Sequence, residues 1–350
     1  MTGLGRRTCG RFWALILSVV ALGLASSASG ALAFPYTLLD FPGATLTEAN
    51  GINSSGAIVG DYWDGAGTSH GFLWLPGKNG GFRTIDFPGA TWTVAAGISD
   101  SGRIVGWYFD EAGLEHGFQL DGNVYATIDF PGAAGGTAPS GISGKRSVGA
   151  YALSDSTGSA GFLWDGQSFT TIDVPGSTST AAFGIDSPCR IVGAYADGTE
   201  VHGFLLKGSS FTTIDVPGAA GTAAFGISNP GGIVGLYVKA ADSLGISHGF
   251  FTPDARTTPT TIDACGVPAS ANGIAEGTGG DHNDHDWRDW QGHDRYGRDR
   301  HDWHDWHEWN GGRIHVRIVG SCTESGKTYG FLLLVPRTGN GGDHDDDHGH

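Results

Sequence analysis

The chain has 350 residues and a net charge of −16, from 36 acidic and 20 basic side chains. Glycine fills 61 positions without the every-third-residue period of collagen, and 39% apolar residues suffice for packed cores, so collagen and wholesale disorder are both excluded. The acidic balance argues against nucleic acid as a partner.

At the N-terminus, Arg6, Arg7 and Arg11 precede the apolar run Phe12–Leu24, and Ala31-Leu32-Ala33 supplies a small-residue cleavage site. The pattern predicts a signal peptide over 1–33, cut after Ala33, and a secreted or periplasmic protein. Arg6-Arg7 hints at twin-arginine export, but its flanks fit ordinary export better. Cleavage removes three basic residues and leaves a net charge of −19. No later apolar stretch nears the ~18 residues of a membrane span, so no membrane insertion is expected after cleavage. Cys189, Cys265 and Cys322 remain. An oxidising compartment permits one disulfide, and the absence of Cys-x-x-Cys removes support for a thiolate zinc or redox motif.

From residue 36 onward one unit recurs six times. Each copy opens on a segment such as FTTIDVPG (169–176 and 211–218), with its Asp at Asp40, Asp86, Asp129, Asp173, Asp215 and Asp263. A Gly-Ile pair follows, opened by Gly51, Gly97, Gly141, Gly184, Gly226 and Gly273. A Val-Gly step ends at Gly60, Gly106, Gly149, Gly193, Gly235 and Gly320, and a Gly-Phe pair closes the unit. The copies span approximately 36–81, 82–124, 125–167, 168–209, 210–258 and 259–336.

Each unit reads as four short strands; in the fourth copy these are Phe169–Val174, Ala181–Ile185, Arg190–Ala194 and Gly203–Leu206. Asp-x-Pro-Gly ends the first strand, with the carboxylate placed to accept nearby amides and Gly tolerating positive φ. Asn53–Gly56 and Ser99–Gly102 read as tight hairpins. Strands apolar on both faces must be covered on both faces. Four-stranded units of about 44 residues, packed between copies of themselves, predict an all-β, six-bladed β-propeller over 34–336. A β-solenoid or stacked repeat array is the alternative.

Gly51-Ile52-Asn53, Gly56, Ile58-Val59-Gly60 and His70-Gly71-Phe72-Leu73-Trp74 resemble the bacterial "probable extracellular repeat" family, named for its His-Ala-Phe motif. Here Gly mostly replaces the Ala, and the His is absent from copies three (Ala160) and six (Tyr329). The resemblance covers about 36–275 and 314–335. It implies an exported bacterial repeat protein and transfers no catalytic residue.

His70, His116, His202 and His248 occupy one repeat position, and the six Asp residues another. Equivalent copies suit structural bonds better than acid–base catalysis, which needs two carboxyls in different settings. Tyr62, Tyr108, Tyr151, Tyr195 and Tyr237 also recur, as blade-edge packing or as a sugar-binding rim. No Gly-x-Ser-x-Gly elbow, phosphate loop, His-Glu-x-x-His helix or EF-hand loop occurs.

The sixth copy is interrupted over 279–313. Residues 281–312 hold six His, five Trp and nine acidic residues, and the acidic tail 337–350 repeats the Asp/His composition. His and carboxylate suit Zn, Ni or Cu. The candidate ligands are His282, His285, His293, His301, His304 and His307 with Asp302, Asp305 and Glu308, and His344, His348 and His350 in the tail. The bland reading is a solvated low-complexity segment; His301–Trp309 is disordered or a short helix on either reading. Cys265 and Cys322, both in copy six, are the expected disulfide, and Cys189 the free thiol.

The expected function is a non-enzymatic binding or interaction scaffold with a protein or glycan partner. Metal binding through the insertion and tail is the alternative. A propeller-type hydrolase or lyase ranks third, because the only asymmetry legible in the sequence is the insertion.

Overall fold

The computed structural model describes residues 36–153, 158–240, 246–262, 264–266, 269–276 and 315–336. The signal peptide, Asp263, the insertion 279–313 and the tail 337–350, with every metal ligand proposed from sequence, lie outside these residues.

The described chain forms 24 strands in six antiparallel four-stranded blades. From the axis outward, blade 1 consists of Leu46–Ile52, Ile58–Trp63, Ser69–Leu75 and Gly81–Ile85. Blade 2 is Trp92–Ile98, Ile104–Phe109, Glu115–Asp121 and Val124–Ile128. Blade 3 is Thr137–Ser143, Arg146–Ala152, Ser159–Trp164 and Phe169–Ile172. Blade 4 is Ser179–Ile185, Ile191–Ala196, Val201–Lys207 and Ser210–Ile214. Blade 5 is Ala219–Ile227, Ile233–Lys239, Ser247–Thr252 and Thr260–Ile262. Blade 6 takes three strands from the C-terminal side, Ala269–Glu276, His315–Glu324 and Lys327–Pro336. Its outer strand is Tyr36–Leu39, from the start of the described chain.

The ring is closed. Tyr36 pairs with Leu333 and Leu39 with Gly330, and the inner strand of blade 6 packs on the inner strand of blade 1. This is a six-bladed β-propeller, and the solenoid alternative is excluded. The grouping of strands differs from the sequence expectation in one respect. The Thr-Ile-Asp strand that opens each copy is the outer strand of the preceding blade, so a blade is offset from a copy by one strand.

Close packing explains the three glycine landmarks. A Cβ on each glycine of the Gly-Ile pair would lie 3.1–3.3 Å from the Cα of the next blade's equivalent, all the way round from Gly51 to Gly273 and back to Gly51. The inner strands therefore meet backbone to backbone in a narrow glycine waist. The residue before each of these glycines (Asn50, Ala96, Ser140, Phe183, Phe225, Asn272) is bulged out of its ladder. The Val-Gly glycines lie beneath the phenylalanines of the Gly-Phe pairs. A Cβ at Gly60, Gly106, Gly149, Gly193, Gly235 or Gly320 would fall 2.7–3.0 Å from the ring of Phe72, Phe118, Phe162, Phe204, Phe250 or Phe331. All six rings are fully buried, each contributing roughly 1.5–3 kcal/mol.

Successive blades are stapled at one recurring point. The residue after the repeat Asp donates its amide to the inner-strand threonine hydroxyl of the next blade, as Phe41 to Thr47 and Val174 to Thr180, 3.0 and 3.1 Å. Sequence reasoning gave the nearby Asp the role of acceptor for nearby amides; at these seams the threonine takes the turn amide, while Asp129 accepts the Gly117 amide at 3.3 Å. The same residue packs on the next blade's tyrosine: Phe41 on Tyr62, Phe87 on Tyr108 and Phe130 on Tyr151, with ring centroids 3.6–3.7 Å apart. At the seam from blade 5 to blade 6 the aromatic pair is replaced by the Cys265–Cys322 disulfide, Cα atoms 6.5 Å apart. Both cysteines belong to copy six of the sequence, yet Cys265 follows the outer strand of blade 5, so the bridge joins two blades rather than bracing one. Cys189 is the free cysteine, in a hairpin turn with φ of 68°.

Candidate functional site

Each repeat histidine stands between two strands of its own blade. His70 Nδ1 lies 3.0 Å from Asp86, His116 Nδ1 2.9 Å from Asp129, and His202 Nδ1 3.0 Å from Asp215. The Nε2 atoms face a second carboxylate, Asp64, Asp110 or Asp197, at 3.5–3.6 Å. Each ring also lies against the repeat tyrosine, with centroids 5.1–5.3 Å apart at His70, His116, His202 and His248. The tyrosine hydroxyl in turn meets an outer-strand threonine in blades 1 to 5. Burial draws the His116 and His202 rings down, but the flanking carboxylates outweigh it and hold both above the ordinary histidine range. Hydrogen bonds from the loop amides and hydroxyls hold Asp64, Asp110 and Asp197 below the usual carboxylate range. These clusters tie strand to strand in repeated, equivalent settings.

Two positions vary. In blade 6, Tyr329 replaces the histidine and Lys327 binds Asp40 at 2.8 and 2.9 Å. In blade 3, Ala160 replaces it, and Asp173 accepts instead from Ser177 and Thr180, 3.2 and 3.1 Å.

The structure also reveals an asymmetric group that sequence reasoning missed. On the inner two strands of blade 1, Glu48 stands opposite Asp61 in the ladder. The equivalent pairs are Val94–Trp107, Ala138–Ala150, Ala181–Ala194, Ala223–Leu236 and Ser270–Ser321, none of them charged. Asp61 is 5% exposed and accepts from Asn50 Nδ2 at 3.0 Å, from Ser69 Oγ at 3.3 Å and from the Trp63 side chain. Glu48 is only half-buried. Burial raises both carboxyls, Glu48 to about 8 with added repulsion from Asp61, and Asp61 to about 6 against the pull of its donors. Near neutral pH the pair therefore retains a proton, and Glu48 is an uncharged hydrogen-bonding group. Asn50, the bulged residue, also donates to the Ala95 carbonyl of blade 2. At the same seam Trp63 meets Trp92 edge-on at 5.0 Å, and both rings are half-buried. The insertion is thus not the only asymmetry, and comparing the copies position by position would have exposed the lone Glu and Asp.

Between blades 4 and 5, Ala196 and Gly221 stand where Trp63 and Trp92 fill the first seam. A cavity of about 410 Å³ opens there, its polar groups supplied by Thr199, Glu200 and Thr222. Among the described residues no group of three or more His, Cys, Asp or Glu is arranged to hold a metal.

No protein-family model matches the chain, and no curated protein matches it significantly. Among solved structures it is similar to AofleA from Arthrobotrys oligospora, at 12% identity over 89% of this chain and 92% of that one, TM-score 0.45. It is similar to the fucose-specific lectin of Aleuria aurantia at 15% identity over 85% and 99%, TM-score 0.38. The sialidase of Trypanosoma rangeli is similar at 7% identity over 87% of this chain and 59% of that one, TM-score 0.43.

Proposed function

We propose that this chain is an exported, non-enzymatic binding propeller whose inner rim at the blade 1–2 seam takes a neutral glycan. The observation that carries the reading is the placing of two half-buried tryptophans, Trp63 and Trp92, beside the Glu48–Asp61 carboxyl pair. Aromatic faces take the apolar side of a sugar ring, while Glu48 and the Asn50 carbonyl oxygen meet its hydroxyls. A two-carboxylate hydrolase fits less well, because Asp61 is buried and already satisfied by three donors, leaving one carboxyl within reach of a substrate. A panel of neutral and sialylated oligosaccharides, offered to the full chain at pH 7, tests this. Retention of neutral members without turnover is expected, with loss in Trp63→Ala/Trp92→Ala and survival in Glu48→Gln. Release of sugar products would overturn the non-enzymatic reading.

A second reading, divalent-metal binding, is favoured by chain topology. His315, which follows the insertion in the chain, is the register partner of Pro336, which precedes the tail, so described residues flanking the two His-rich segments meet at one corner of blade 6. Deleting 281–312 should leave the melting temperature nearly unchanged and remove most binding of Zn, Ni or Cu in titration calorimetry. Binding should weaken below about pH 6 as protons compete for imidazole. Equal uptake by parent and deletion would sink this reading.

A further inference from the structure

Between neighbouring blades, two positions face each other: the end of one blade's second strand and the start of the next blade's inner strand. At the first seam these are Trp63 and Trp92, whose rings meet edge-on. At the second, Phe109 takes the first position, and the buried Glu115 side chain packs on the second, Gly136, where an added Cβ would lie 2.6 Å from it. The chain thus closes both spaces with its own aromatic rings and side chains.

At the seam between blades 4 and 5 the same two positions hold Ala196 and Gly221. A Cβ on Gly221 would find its nearest neighbours only at 3.6–3.7 Å, on Val201. The cavity of about 410 Å³ left there is lined entirely by described residues, and its wall is apolar, from Ala196, Val201, Ala223, Leu236 and Val238. Val201 is one of four large apolar side chains exposed to solvent among the described residues. The edge of the cavity is negative. Glu200 lines it, exposed, with no ion pair or hydrogen bond to its carboxylate among the described residues. Close by in the chain, Asp197 accepts from the amides of Thr199 and Glu200 and from the Thr199 hydroxyl, which keep it ionised.

We propose that this cavity is a binding site for a small planar aromatic amine, its ring seated against Ala196, Val201 and Leu236 and its ammonium group turned toward Glu200. Three observations select that class. An aromatic ring is what the chain itself places in this space at the first two seams. The volume falls within the roughly 300–1,000 Å³ of small-molecule sites, and the wall is mostly apolar with a few polar groups, as such sites are. The unpaired carboxylate favours a cation over an anion. The site lies apart from the blade 1–2 seam and does not rest on the glycan reading.

The probe is 5-fluorotryptamine, followed through its own 19F line width as the full chain is added. Saturable binding is expected with a Kd of roughly 0.1–1 mM, as a ligand of few heavy atoms and one exposed ion pair allows. The anionic 5-fluoroindole-3-acetate should bind at least several-fold more weakly, and Glu200→Gln should erase that preference. Gly221→Trp puts an indole where Trp92 stands in blade 2 and should abolish binding while keeping the parent's strand signature in circular dichroism. Ala196→Trp, the counterpart of Trp63, repeats the test from the other wall. Should both lose the fold, the charge preference and its loss in the exposed Glu200→Gln decide alone. Binding that fails to saturate, favours the acetate, keeps its charge preference in Glu200→Gln, or persists in either folded tryptophan variant would overturn the site. Oligosaccharide retention is read separately on the same variants, so failure of one reading leaves the other standing.

Discussion

Glu48 ties the stability of the ring to pH in the sense opposite to an ordinary exposed carboxylate. Its folded value lies near 8, above the 4.5 of an unperturbed glutamate. Between those limits the unfolded chain gives up a proton that the folded chain keeps, so stability falls as pH rises through this window. Asp61 adds to the fall between 3.8 and about 6. The raised His116 and His202 act in the same sense at higher pH, because their stabilisation is present when protonated and lost as pH rises through the folded value. Glu48→Gln should therefore remove most of the decline and stabilise the chain at pH 8 by about 1–2 kcal/mol, a figure discounted for partial exposure. Urea midpoints of parent and variant at pH 5 and pH 8 measure this. Parallel pH profiles would refute the role given to Glu48. The pair escaped sequence reasoning because a polar residue alternating with apolar ones along a strand looks like an ordinary solvent-facing position. Only at the channel-side positions of a propeller, where the other blades place Val, Ala or Ser, does it become an exception.

At the scale of elements, the repeat landmarks were legible because each answers to one contact made six times. The Val-Gly glycine must lie under a phenylalanine ring, and the Gly-Ile glycine must let inner strands touch. The phase of the strands was not legible, since a cyclic repeat can be cut anywhere without altering its pattern. Only the pairing of Tyr36–Leu39 with Lys327–Pro336 fixes which four strands make a blade. The offset also changes what the disulfide does. Cys322 stands at the repeat-tyrosine position and Cys265 at that of the turn proline, next to Ala264 where the first three seams place a phenylalanine, so the bridge is the clasp between blades 5 and 6. Blade 6 is the one assembled from both ends of the described chain, and it gains most from a covalent hold. Replacing both cysteines with serine should lower stability by about 2–4 kcal/mol without altering the strand signature in circular dichroism. An unchanged melting temperature, or no fall on adding reductant to the parent, would show that the seam holds without it.

At the scale of the molecule, ring closure depends on a strand borrowed from the far end of the sequence, and this permits a direct rearrangement. In blades 1 to 5 the third and outer strands are consecutive in the chain, as Glu115–Asp121 and Val124–Ile128 are through a tight turn at Gly122. In blade 6 alone they are distant, although Tyr36 sits opposite Leu333 in the same antiparallel register that a short hairpin would produce. A circular permutant starting at Leu46, with Tyr36–Asp40 joined after Pro336 by a two- to four-residue turn, would make blade 6 a continuous four-stranded unit like the others. It removes the closure between the two ends and shortens the loop that the ends must close, while keeping every inter-blade contact except the Phe41–Tyr62 stack and its amide bond to Thr47. Keeping Phe41 on the transferred segment restores both. That permutant should fold to the same strand content, with a melting temperature within a few degrees of the parent and faster refolding, because the last blade no longer waits for a contact nearly the full length of the ring away. A permutant that stays unfolded while remaining soluble would show that the closure strand does more than complete a sheet.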